Sequence, residues 1–310
     1  MILCVNLNAA IDKTAVLPTF SPGQIHRPET VKMLPGGKGF NVARALKQLG
    51  ETPVVTGWVG GSAGQFIAKA AQEEGIQTEF VYTAAESRTC LSILDSSSGL
   101  LTEIYEQGEA VPPEKVAELL AWFEKNVGLF TAVTLSGSLP PGVPPNIYAQ
   151  LIHLAHKANV PAYLDGSKEA LRQGVAAKPF LIKPNDSEIA ILAEQDLNTQ
   201  GDFAAAAGAI SNRYQTIVAL SLGKAGAIFA QGPDLIYVQP PRVQAKGAVG
   251  SGDSMLAGLV HGFGQGKSLE EAARCGVAAG TANTLVLGAG QFTRQDFVDI
   301  LAKTKISLRP

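Results

Sequence analysis

From Pro113 onward the chain alternates short apolar runs with stretches of helical spacing, and this alternation restricts the fold more than any other feature. It predicts helix over 114–125, strand over 132–135 and helix over 147–158. Strands over 161–164 and 180–182, helices over 186–193 and 203–212 and a strand over 216–221 follow. Repeated βα units imply a parallel sheet with helices on both faces, because a right-handed crossover returns each strand to the same sheet. Residues 227–230 and 235–238 read as a late antiparallel pair, and helices over 254–263, 269–286 and 293–302 close the chain. Earlier, 1–7 and 53–59 read as buried strands, and the helices over 42–49 and 66–74 are stopped by Gly50 and Gly75. Two segments differ. Residues 13–33 carry Pro18, Pro22, Gly23 and Pro28, and 87–106 carry the turn Ser96–Gly99, so both suit short strands that build a small sheet beside the main one.

Composition narrows the classes. At 310 residues and 46% hydrophobic, the chain is long enough for a sizeable core, and we expect one α/β unit over 1–310. A net charge of −2, 6% aromatic residues and no long basic run argue against nucleic acid as partner. No apolar run approaches the roughly 20 residues that span a bilayer, so no membrane partner and a cytoplasmic location are expected. Cys4, Cys90 and Cys275 are far apart and lack metal-ligand spacing, which argues against a disulfide frame or zinc site. His153 and His156 share a helix without a third ligand nearby.

Chemistry is placed by glycine turns. Gly247, Gly250 and Gly252 precede the helical run Met255, Leu256, Leu259 and Val260. A helix that starts this way aims unpaired amides and its positive dipole end forward, so the backbone of Gly250, Ser251 and Gly252 can cradle an anion. Asp253 in the first turn either caps the helix or stands beside that anion as a base for an attacking hydroxyl. The second alternative amounts to phosphoryl transfer to an alcohol. Gly36-Gly37-Lys38-Gly39-Phe40-Asn41 opens another helix similarly, but without P-loop spacing, and no G-x-G-x-x-G follows the first strand. Ser136–Gly142 is either a Ser- and Pro-rich turn or a close approach to a sugar phosphate. In Lys183-Pro184-Asn185-Asp186-Ser187-Glu188, Asn185 and Glu188 either form a capping box or hold Mg²⁺ through its waters. Ser221–Gly226 suits a phosphate or ribose contact, or a tight hairpin.

Taken in order, these segments resemble the ribokinase-like, or PfkB, carbohydrate kinases over nearly the full length. Within that family they resemble the hexose-phosphate branch of 1-phosphofructokinase, tagatose-6-phosphate kinase and the minor 6-phosphofructokinase. The similarity rests on 6–14, on 36–43 as first signature, on Ser136-Gly137-Ser138-Leu139-Pro140 and on Lys183-Pro184-Asn185 with Glu188. Ser221-Leu222-Gly223 with Gly226, and 249–254 as second signature, complete it.

The resemblance implies an α/β, doubly wound, mostly parallel sheet with a small β-sheet lid from about 13–33 and 87–106. It implies ATP and Mg²⁺ and a ketohexose monophosphate, with fructose 1-phosphate converted to fructose 1,6-bisphosphate. Tagatose-6-phosphate kinase or 6-phosphofructokinase activity, or a catalytically silent sugar-phosphate sensor, are the alternatives. By this resemblance Asp253 is the base, and the amides of Gly250, Ser251 and Gly252 form the anion hole. Asp12, Gly37 and Asn41 hold sugar hydroxyls, while Lys38, Arg88, Arg27 and Ser138 receive the substrate's phosphate. Lys183, Asn185, Ser221, Gly223, Gly226 and Asn283 hold the nucleotide, and Glu188 with Asn185 organises Mg²⁺ through water. The lid implies a homodimer. Relatives usually carry Asn at Cys90, Pro at Ala9 or Ala10, Thr at Ala248 and Ser at Gly166; Cys90 and the lid changes face the sugar.

Overall fold

The computed structural model describes residues 1–307. Strand β1 (Ile2–Asn6) lies inside a ten-stranded sheet and is buried along its whole length. Its residues divide by parity: Ile2 and Cys4 enter the apolar cluster on one face, and Leu3 and Val5 the cluster on the other. A strand covered on both faces reads as a continuous apolar run, as ILCV does.

The chain leaves β1 for β2 (Ala10–Leu17) and β3 (Thr30–Gly36), then lays β4 (Pro53–Gly60) and β5 (Gln77–Thr83) parallel on one side of β1. After β6 (Arg88–Asp95) and β7 (Leu101–Tyr105), β8 (Ala132–Ser136) pairs with the opposite side of β1. Strands β9 (Ala162–Asp165), β10 (Leu181–Ile182) and β11 (Ile217–Ser221) extend the parallel array. Strands β12 (Ala227–Gln231), β13 (Asp234–Gln239) and β14 (Lys305–Ser307) add an antiparallel edge. The direction of winding therefore reverses between β1 and β8, and a crevice opens beyond the carboxyl ends of these two strands. Asn6 ends one of them and Ser136 the other.

The second sheet has the order β3-β2-β6-β7. Its central pair, β2 with β6, is parallel, so a meander of hairpins describes it only in part. The register places Asp12 beside Cys90 and Leu34, hence on one face; Val31, Met33 and Ile104 belong to the other and are exposed.

Most expected elements are present with ends moved by a few residues. Three were not expected: β5, the helix Lys168–Ala176 and β14. In β5, QTEFVYT, polar residues interrupt the apolar ones because only one neighbour covers this edge strand. The helix 168–176 contains Gly174, a weak helix former, yet its Leu171 and Val175 are buried against the sheet. Among the described residues no helix is long and apolar enough to cross a membrane.

Candidate active site

The helix Ser251–Gly264 opens on Gly250, whose φ of 78° is left-handed. A side chain there would lie 2.3 Å from the Cβ of Ala289, so both backbone shape and space require glycine. The Ser251 N–H is bonded to the Ala248 carbonyl at 3.1 Å and so is not free to bind an anion, contrary to expectation. Among the described residues the amides of Gly250, Gly252 and Asp253 have no protein acceptor, so these three are the ones left open to an anion. The Lys183 ammonium reaches the same place: a Cβ on Gly252 would stand 3.3 Å from it.

Asp253 is 6% exposed, and its Oδ2 accepts a hydrogen bond from Asn41 Nδ2 at 2.8 Å. Asn41 belongs to the helix Lys38–Gln48, which begins at the other glycine turn. There Gly37 adopts a φ of 100° and a Cβ would sit 2.5 Å from Asn6 Oδ1. The Gly39 N–H donates to the same Asn6 oxygen at 3.3 Å, and Asp12 takes a backbone hydrogen bond from Gly37. Asp12 also presses on Gly36, where a Cβ would stand 2.2 Å from its carboxyl carbon. Of the expected sugar-side residues, Asn41 touches the expected base, while Gly37 and Asp12 gather at the turn that opens its helix.

One member of this cluster escaped the sequence analysis. Asp165 ends β9, is 1% exposed, and pairs with Lys38 Nζ at 3.0 Å and Lys183 Nζ at 3.1 Å. The apolar run predicts a strand that ends at Leu164, one residue short; a carboxylate at a strand's carboxyl end beside the crevice is the available signal. The two carboxylates diverge in acidity. Burial alone would raise Asp165, but Lys183 and Lys38 hold it below its ordinary value. Burial pushes Asp253 up to about 6, against the pull of Lys38, with Asp165 adding to the rise and Asn41 and Lys183 opposing it. A carboxylate near 6 is ionised at neutral pH and still basic enough to take a proton.

A second cluster gathers Arg88, Asn8 and Ser138. Arg88 donates to the Asn8 carbonyl at 3.3 Å and the Glu106 carbonyl at 3.0 Å, and Asn8 Nδ2 donates to Ser138 Oγ at 3.2 Å. Lys38 links this cluster to the base: its stem passes Gly137, next to Ser138, while its ammonium turns to Asp165 rather than to Arg88. Arg27 is not brought to this cluster; it lies exposed between β2 and β3, with no ion-pair or hydrogen-bond partner among the described residues.

Of the two alternatives for 183–188, the capping box is present. Asn185 Oδ1 accepts the Glu188 N–H at 2.8 Å, and Glu188 Oε2 accepts the Asn185 N–H at 2.9 Å, a complete capping box. Burial raises the Glu188 carboxyl, while Lys38 and Lys183 pull it down, so it also faces the charged cluster. Residues 221–226 form the tight hairpin between β11 and β12, with left-handed Gly223 and Gly226 at its bends. Ser221 is joined to Asn185 by an isolated bridge, which brings the two segments together. Asn283, expected at the nucleotide, is 1% exposed. Its amide donates to the Val249 carbonyl at 2.8 Å and Ser251 Oγ at 3.3 Å and accepts from Gly290 at 2.7 Å. It clamps the glycine turn from behind instead. A cavity of about 680 Å³ at the opposite ends of the strands, near Lys178, Phe180 and Thr216, contains none of the expected residues.

Among the described residues, no group of three or more His, Cys, Asp or Glu side chains could hold a metal. Asn185 Oδ1 already accepts from the Glu188 N–H and from Ser187 Oγ, so Glu188 Oε1, outside the capping box, is the oxygen that suits Mg²⁺, a hard ion that keeps several waters and takes one or two carboxylates plus substrate phosphates.

Comparison with known proteins follows the same outline. The family model for the pfkB family carbohydrate kinases matches residues 3–295. The structure of phosphofructokinase-2 from Escherichia coli in complex with potassium superposes with a TM-score of 0.91 at 31% identity, covering 98% of each chain. A possible 1-phosphofructokinase of Thermotoga maritima superposes with a TM-score of 0.90 at 26% identity, covering 99% of each chain.

Proposed function

The chain belongs to the pfkB family of carbohydrate kinases, and on that premise we propose that it transfers the γ-phosphoryl group of ATP to the free primary hydroxyl of fructose 1-phosphate. The observation that carries this reading is the buried Asp253 carboxylate, bonded to Asn41 and set beside the free amides of Gly250 and Gly252. Asp253 takes the hydroxyl proton as the sugar oxygen bonds to the γ-phosphorus, and the bond to the bridging oxygen of ADP breaks. The cradle amides and the Lys183 and Lys38 ammonium groups face the charge spread over the transferring group, in the manner general to phosphoryl transfer. Glu188, in its capping box with Asn185, would hold Mg²⁺, which when bound would supply further charge neutralisation on the phosphates.

Arg88, Asn8 and Ser138 supply donors for a phosphate already on the sugar, which favours a phosphorylated acceptor over a free sugar. Residues 10–36 and 88–105 act as the lid over a single kinase unit. Its outer face exposes Val31, Met33 and Ile104, which supports a homodimer through the lid. Fructose 6-phosphate is the second acceptor to consider, because a similar phosphofructokinase-2 from Escherichia coli was solved in complex with it.

A coupled assay of ADP release with fructose 1-phosphate, fructose 6-phosphate, tagatose 6-phosphate and free sugars, with and without Mg²⁺, tests the reading. The highest kcat/KM is expected for fructose 1-phosphate. Asp253→Asn should lower turnover by roughly a hundred- to ten-thousand-fold while sugar binding persists. Turnover close to that of the parent would refute the base assignment.

A further inference from the structure

The reading above, on which this inference rests, leaves one buried cation unused. Arg44 is 6% exposed and lies three residues beyond Asn41 on the same helix, so the two side chains share a face. Its guanidinium makes three separate contacts. Nε pairs with Glu74 Oε2 at 2.6 Å, Nη2 donates to the Pro35 carbonyl at the end of β3, and Nη1 donates to Asn41 Oδ1 at 3.1 Å.

An asparagine amide can be turned over with little change of shape, exchanging a donor for an acceptor. A guanidinium has donors only, so the end of Asn41 that meets Arg44 must be its oxygen. The NH₂ end is then committed to Asp253 Oδ2, at 2.8 Å. We propose that Arg44 is a positioning residue: it locks the Asn41 amide so that its NH₂ group, never its oxygen, faces the base.

Without Arg44 only the ionised carboxylate itself opposes the reversed amide, which would set an oxygen against it and favour the protonated acid. The charged groups that face Asp253 from the elements around it are Lys38, Asp165 and Lys183, and none of them touches Asn41. The hydrogen bond from Asn41 already helps keep the base ionised against burial. Burial raises the Asp12 carboxyl and the charge of Arg44 opposes that rise, so the same cation serves both carboxylates that flank the sugar. Because it holds Pro35, near the end of β3 and just before the glycine signature, it ties the base to the root of the small sheet.

The test reads kcat against pH, from about pH 5 to about pH 9, for Arg44→Met, Arg44→Lys and Arg44→Met combined with Asn41→Ala. Arg44→Met should move the acid limb upward by about one pH unit, giving roughly a tenfold loss near the parent's limb that closes at higher pH. Arg44→Lys, which keeps a donor, should restore much of the limb. In the Asn41→Ala background Arg44→Met should add no further shift, since it has no amide to orient. A loss equal at every pH, or an undiminished shift in that background, would overturn the proposal and leave Arg44 a purely structural ion. Should Arg44→Met not fold, Arg44→Lys alone decides, because a limb unmoved in both backgrounds supports orientation and a limb raised equally in both contradicts it. Asp253→Asn run alongside separates the two claims. If it retains turnover, the base assignment fails; if it loses turnover while Arg44→Met leaves the limb in place, only this inference fails.

Discussion

At the head of the helix Lys38–Gln48 a protein oxygen stands in front of the turn: Gly39 donates to Asn6 Oδ1 at 3.3 Å. At the head of Ser251–Gly264 the amides of Gly250, Gly252 and Asp253 have no such partners among the described residues. Both turns use a left-handed glycine packed too tightly for a side chain, so the local device is shared. What separates them is the group in front of each. In the first turn a side-chain oxygen of β1 fills the dipole end, and the turn becomes a platform that presents Lys38 and Asn41. In the second the dipole end remains open to a ligand.

Perturbing the ions between the two turns should give the largest effect. Lys183→Met removes one of two cations from the fully buried Asp165 and should destabilise the fold by about 3–5 kcal/mol, read by denaturant melting. Lys38→Met should cost only about 1 kcal/mol, because its side chain is 40% exposed and water already screens the pair. Equal losses would mean that burial does not distinguish the two lysines.

The turns themselves come next. Gly250→Ala and Gly37→Ala each force a side chain into a left-handed, occupied position, at about 1–3 kcal/mol each. Their kinetic signatures should part: the first raises KM chiefly for ATP, the second chiefly for the sugar phosphate. If both raised the same KM, the division of labour between the turns would be wrong.

The smallest effect concerns the two carboxylates. The folded Asp253 carboxyl lies near 6, above its ordinary 3.8, so its contribution to stability is complete below about pH 4 and is lost as pH rises through 6. Asp253→Asn should therefore be more stable than the parent at pH 8 by about 1–2 kcal/mol, with the gap closing on acidification. Asp165 is shifted the other way, so its contribution is present at neutral pH and fades as acid protonates it. A thermal-melting series against pH that showed no narrowing of the gap for Asp253→Asn would contradict the raised pKa of Asp253.

Elements with strong local periodicity were legible. The apolar run at 2–6, the helices stopped by Gly50 and Gly75 and the capping box of Asn185 with Glu188 each depend on residues a few positions apart. Edge strand β5 was not legible, because one uncovered side lets polar residues interrupt its pattern. Arg44 looks like an ordinary surface charge on an amphipathic helix, and only packing against Pro35 and Glu74 shows it to be buried.

By itself, then, the sequence determined the alternation of strands and helices, the two left-handed glycine bends and the position of Asp253 in a first helical turn, since all of these follow from neighbours along the chain. Tertiary structure alone decided which bend stays open and which lysines hold Asp165. It also decided that Arg44 reaches Asp253 through Asn41. Asn41 and Asp253 stand 212 positions apart, and Lys38 and Asp165 stand 127 apart. Burial, and with it the strength of each charge interaction, is set by atoms that come together only when the sheet closes over them.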